Sequence, residues 1–112
     1  ELLGLGGYGD IVVEDADKRG VKILWGLLKE GGRFMATVPA GKPATQRGYR
    51  VYDEERLYEV FPMLTSVSWY MKEGREGTWS AVQSDVVNNL IYCEPYGQMP
   101  VEAVAFVICD RV

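Results

Sequence analysis

At Gly31-Gly32 an apolar helical stripe gives way to an apolar strand, and that junction restricts the chain to folds that alternate helices with strands. On its amino side Val21, Leu24, Leu27 and Leu28 recur at spacings of three and four, the repeat of one helix face. Ile23 and Trp25 widen the stripe, and Asp17 stands where an N-cap belongs. The glycine pair stops the helix, with Lys29 in its last turn, where a cation suits the dipole. On the carboxyl side RFMATV, residues 33–38, reads as a buried strand that Pro39 ends.

The remaining elements follow the same alternation. Residues 40–48 read as a loop with Gly41, Pro43 and Gly48. Asp53 is placed to cap a short helix carrying Leu57, Val60 and Phe61, which Pro62 closes. Residues 64–71 alternate partly and predict a strand, and residues 74–78 a turn. Residues 81–91 are ambiguous and read as a short helix, and residues 94–100 as a loop. AVAFVICDR, residues 103–111, is the strongest strand signal. The expected class is α/β, as one domain over residues 1–112. Three strands are few for such a sheet. The strand at residues 33–38 wants neighbours on both edges, and the sequence before it offers none, which points to missing N-terminal structure.

Composition excludes several chemistries. The chain has no histidine, which removes Ser-His-Asp and Cys-His catalysis and every histidine-containing zinc site. Cys93 and Cys109 alone make neither a four-cysteine metal site nor a disulfide scaffold. Twelve basic against sixteen acidic residues, a formal charge of −4, make a nucleic-acid platform a poor expectation. No apolar run approaches the roughly 20 residues of a membrane helix, and no secretory leader is readable. A cytoplasmic protein without nucleic-acid or membrane partners is the expectation.

Gly4-Leu5-Gly6-Gly7-Tyr8-Gly9 matches the dinucleotide fingerprint G-x-G-x-x-G. That motif works only between a strand and a helix N-terminus, so that the helix meets a phosphate. Here Glu1-Leu2-Leu3 precede it and Asp10-Ile11-Val12-Val13-Glu14 follow, which is not that context. A surface loop using glycine for positive φ is the plainer reading. The acidic residues Glu14, Asp15 and Asp17 lack the ordered ligand spacing of a calcium loop, so capping is preferred.

Three segments carry a resemblance. ELLGLGGYGD, residues 1–10, is similar to the stretch E-H-x-G-L-G-x-Y-G-D of a methyltransferase-like family. LLKEGGRFMATVP, residues 27–39, resembles L-L-K-P-G-G-x-x-x-x-x-V-P, which leads from the fourth helix into the fifth strand of class I S-adenosylmethionine-dependent methyltransferases. RVYDEERL, residues 50–57, resembles the R-V-Y-x-x-E-R-L that opens their next helix. Leu2 stands where the family often has His, and Glu30 where it has Pro. Order and spacing agree to about residue 61, and beyond it the likeness is one of layout.

The resemblance implies a partial Rossmann-like class I methyltransferase sheet, its last three strands with flanking helices. The fifth strand is expected parallel to the sheet, and the last two strands at its edge, the final one antiparallel. The glycine loop and the acidic residue that hold S-adenosylmethionine belong to the first half of that fold, which has no counterpart here. The parent protein is thus expected to be a methyltransferase using S-adenosylmethionine on a small molecule or glycan. The isolated chain is expected to bind no cofactor and be inactive. Its expected partners are a second copy, as a dimer, or the missing N-terminal half. The rival reading is a non-catalytic interaction module that kept half the fold.

Open α/β sheets bind ligands beyond the carboxyl ends of their strands. The resemblance puts residues 4–10 and 39–42 there. Glu1 is a weak catalytic candidate, as a base or substrate ligand, against a solvated terminal residue. Tyr8 either lines a substrate pocket or packs under its own loop. Lys42, Arg47 and Arg50, near Tyr49 and Tyr52, form a basic group suited to an anionic substrate such as a phosphorylated or acidic sugar. A solvated loop is the competing reading. The substrate-binding candidates are thus Tyr8, Lys42, Arg50 and Tyr52.

Overall fold

The computed structural model describes residues 16–46, 49–93, 95–96 and 99–112, with backbone alone at residues 45, 46, 49, 95, 96 and 99. The chain is α/β, with an antiparallel sheet and helices flanking it. Helix α1 covers Ala16–Leu27 and strand β1 covers Arg33–Pro39. Between them Gly31 takes φ +80°, a conformation that favours glycine, and its N–H donates to Arg111 O at 2.6 Å. The cation at the carboxyl end of α1 is not Lys29. The last turn of the helix holds no basic residue. Arg111, at the far end of the chain, donates from Nη1 to Trp25 O at 3.0 Å and Leu28 O at 2.8 Å.

The expected loop after β1 contains a small hairpin, β2 (Ala44–Gln46) against β3 (Tyr49–Val51). Helix α2 (Glu54–Val60) begins as its sequence predicts, with Asp53 accepting from Arg56 N at 2.8 Å. Strand β4 covers Ser66–Glu73. The ambiguous stretch divides into β5 (Ser80–Val82) and α3 (Ser84–Asn88). The expected loop at residues 94–100 also pairs, β6 (Pro95–Tyr96) folding onto the start of β7 (Met99–Asp110).

The main sheet runs β1-β7-β4-β5. β7 is antiparallel to both β1 and β4, so those two strands are parallel to each other. The final strand is therefore interior rather than at an edge, and β5 closes that side of the sheet. On β7 the side chains alternate between faces, and Val101, Ala103, Ala105, Val107 and Cys109 are all buried. Val21 of α1, Leu57 and Val60 of α2 and Val87 of α3 join them in one core, which places the three helices on the same face. Small residues on β7 oppose large ones: Trp69 pairs with Ala105 and Met71 with Ala103.

β1 is not the fully buried strand its composition suggests. Phe34, Ala36 and Val38 pack against the core, while Met35, on the face away from the helices, is 57% exposed. Only one face of this strand is covered by the described helices, and an alternating burial pattern follows.

Leu57 has no exposed surface and sits where α2 meets the sheet. Leu57→Ala is expected to lower stability by about 2–5 kcal/mol, through lost transfer energy and the cavity left behind. Urea unfolding checks this, and a loss within about 0.5 kcal/mol would be the behaviour of a surface site.

Candidate functional site

The carboxyl end of β1 is where the sheet receives its most unusual cover. Ala40 forms a parallel bridge with Tyr52, through Tyr52 N to Pro39 O and Gly41 N to Tyr52 O, both 2.9 Å. Lys42 N donates to Leu90 O at 2.6 Å, which pins the next residue to the segment after α3. A Cβ on Gly41 would lie 2.7 Å from Leu90 O, at φ +154°, so this crossing requires glycine.

Beneath this crossing lies a buried polar trio. Asp17, Arg50 and Tyr52 are 3%, 4% and 1% exposed. The Tyr52 hydroxyl donates to Asp17 Oδ2 at 2.8 Å, and Arg50 Nη1 stands 3.0 Å from Asp17 Oδ1. The Arg56 guanidinium lies over the Tyr52 ring at 5.4 Å. Burial, then the hydrogen bond to Asp17 and its negative charge, push the Tyr52 hydroxyl well above the usual tyrosine range, against the opposing charges of Arg50 and Arg56. Tyr52 therefore stays a neutral donor at physiological pH.

Asp17 is consequently not the cap of α1. It lies inside the first turn, and its carboxylate is engaged by Tyr52 and Arg50, residues more than thirty positions away. Lys18 N also contacts its Oδ1 at 2.9 Å.

The residues expected to bind substrate part company. Arg50 and Tyr52 turn inward to Asp17, whereas Lys42 is exposed on the turn after β1. Arg47, Glu1 and Tyr8 lie outside the described residues, as do Glu14 and Asp15. A surface groove of about 290 Å³ opens beside the trio, lined by Pro43, Asp53, Glu55, Arg56 and Glu59. Its polar side chains have structural work as well: Asp53 caps α2, Arg56 donates to Ala44 O at 3.4 Å, and Glu59 faces Lys18 at 4.0 Å. Sequence reasoning missed Asp17 as a partner of Arg50 and Tyr52. The signal available was a carboxylate ahead of an apolar stripe, which reads equally as a cap.

Trp69 is a core residue, and Trp25 packs against the same core under Arg111. Trp79 is 46% exposed, with the Lys72 ammonium 5.1 Å from its ring centroid. Cys93 is exposed and Cys109 buried, both as free thiols. Burial raises both above the usual thiol range. Compared with family models, curated proteins and solved structures, the chain matches none.

Two outcomes are expected of the trio. Removing the carboxylate breaks a buried ion pair with Arg50 and takes the acceptor from the Tyr52 hydroxyl, so Asp17→Ala should cost about 3–5 kcal/mol, against about 1 kcal/mol for a lost cap. Equilibrium denaturation distinguishes the two. The raised Tyr52 ionisation sets the alkaline limit. The folded state holds that proton more tightly than the unfolded chain, whose tyrosines titrate near about pH 10. Its contribution is therefore complete below about pH 10 and lost as pH rises through the folded value. Tyr52→Phe should flatten the alkaline fall of stability relative to the unaltered chain. Parallel curves above that pH would exclude Tyr52 as its source.

Proposed function

We propose that the chain is the carboxyl-terminal half of a class I methyltransferase-like domain, whose parent protein transfers a methyl group from S-adenosylmethionine to a small molecule or glycan. One observation carries the reading: β7 lies between β1 and β4, antiparallel to both, while those two run parallel to each other. Of this arrangement, the antiparallel direction of the final strand is what the sequence resemblance implies. The helices that follow the resembling segments, and the turn after β1, support the same reading.

In this reading the chain supplies the acceptor side of the domain, and the cofactor side belongs to the half that the resemblance leaves unmatched. The Asp17–Arg50–Tyr52 trio then ties the helix after the glycine segment to the turn after β1, holding together two segments that face the ligand end of the sheet. Lys42 remains the described basic candidate at that end. The residues here name no acceptor atom.

A second reading, a non-catalytic module retaining half the fold, has its own support. Arg50 and Tyr52 are committed to an internal network rather than to an open cleft.

Calorimetric titration of the 112-residue chain with S-adenosylmethionine is expected to give no low-micromolar binding, which is a threshold of about −8 kcal/mol. The product of a reading frame extended upstream should carry a strand followed by a G-x-G-x-G loop and bind the cofactor. An upstream frame lacking that loop, or an extended product that fails to bind, would overturn the methyltransferase reading and favour the module.

A further inference from the structure

We infer that the outer edge of β1 is a self-association surface, on which a second copy of this chain docks strand to strand about a two-fold axis centred on Met35. The surface is inferred for the 112-residue chain from the edge itself; in a parent domain of the kind proposed above, the preceding strand of the upstream half would take the same edge.

The direction of each backbone group follows from the pairing. Ala40 N donates to Ala103 O, and Arg111 exchanges bonds with Gly31 and Gly32. In an antiparallel ladder the residues facing a partner alternate, so Phe34, Ala36 and Val38 spend their N–H and C=O groups on β7. Arg33, Met35 and Thr37 aim theirs outward, and Pro39, which has no N–H, its carbonyl. Tyr52 occupies the outward groups at Pro39 and Gly41. Among the described residues nothing else pairs along this edge, which leaves Arg33, Met35 and Thr37.

That open stretch is symmetric about Met35, and this selects a second copy as its occupant. Antiparallel pairing about Met35 sets Met35 against the partner's Met35 and Arg33 against the partner's Thr37. Two residues further, the position opposite Pro39 belongs to the partner's Gly31, where the chain has already left the strand at the turn before β1. The Tyr52 that blocks the edge at Pro39 therefore meets no continuing strand. The edge is closed at one end by Tyr52 and at the other by its own turn, and the free length between them fits itself.

The chemistry of the edge agrees. Residues 34–38 are uncharged, with neither lysine nor proline to discourage pairing. The opposite edge of the same sheet is β5, only three residues long. Arg33, the one charge on the open stretch, is engaged by Asp110 of the neighbouring strand through two contacts at 2.7 and 3.2 Å. A two-fold axis normal to the sheet keeps both helical layers on one side. It brings the exposed Met35 side chains together on the other.

The test uses the full chain. Sedimentation equilibrium near neutral pH should show a monomer–dimer equilibrium at tens of micromolar. Thr37→Pro removes an outward N–H without touching the β7 ladder, and Met35→Lys sets two like charges face to face across the axis. Each should weaken dimerisation at least about tenfold while cooperative thermal unfolding is retained. The register has its own readout. An outward-facing pair sits about 5.5 Å apart at Cα, within disulfide range. Met35→Cys in a Cys93→Ser background should therefore oxidise to a covalent dimer, and Arg33→Cys in that background should not. A monomer at those concentrations would overturn the inference, as would residues 1–15 pairing with β1 within one chain. A dimer indifferent to both edge substitutions, or one that Met35→Cys fails to link, would overturn it equally.

Discussion

Strand β7 is the constraint on which the sheet depends. It is twelve residues long and paired on both edges, with β1 on one side and β4 on the other. Its buried row, Val101, Ala103, Ala105, Val107 and Cys109, is made of small side chains, and Trp69 and Tyr52 enter the same core. The helices reach that core through Val21, Leu57, Val60 and Val87. The residue that follows β7 also secures α1, since Arg111 donates to the carbonyls at the end of that helix. The end of the chain thus ties α1, β1 and β4 together.

The buried trio is a different kind of constraint. Taking a carboxylate and a guanidinium out of water is costly, and their attraction rarely exceeds that cost. What such a pair confers is geometry, because Asp17 can be satisfied only where both Arg50 and Tyr52 reach it. One position thereby fixes the first turn of α1 against β3 and the turn after β1. Tyr52 strengthens this by using its backbone on β1 and its side chain on Asp17 at once. The carboxyl end of β1 is thus held by hydrogen bonds of known direction as well as by apolar contact.

Elements whose signals are local were legible. α1 and its glycine stop, α2 behind its Asp53 cap and the apolar run of β7 are set by periodicity and capping within a few residues. Other features were not. β2, β3, β5 and β6 are two or three residues each, too short to show a periodicity, and each is defined by its pairing with a neighbouring strand in the chain. The resemblance anticipated that the last strand runs against its neighbours, while its interior place, with β5 beyond β4, emerged from pairing.

The candidate site divides in the same way. The sequence by itself determined which residue types are available: no histidine, two cysteines, and a basic group around residues 42–50. Only tertiary structure decided which of those charges meet water. Arg50 reads as one member of a solvated basic run, yet it is buried, because its countercharge lies thirty-three positions earlier on another element. Asp17 reads as a cap by its local position, yet Tyr52 and Arg50 claim its oxygens. Helix stops and caps depend on bonds closed within one turn, so a single segment specifies them. A buried ion pair depends on where the fold brings two distant segments, and nothing in either segment alone records the other.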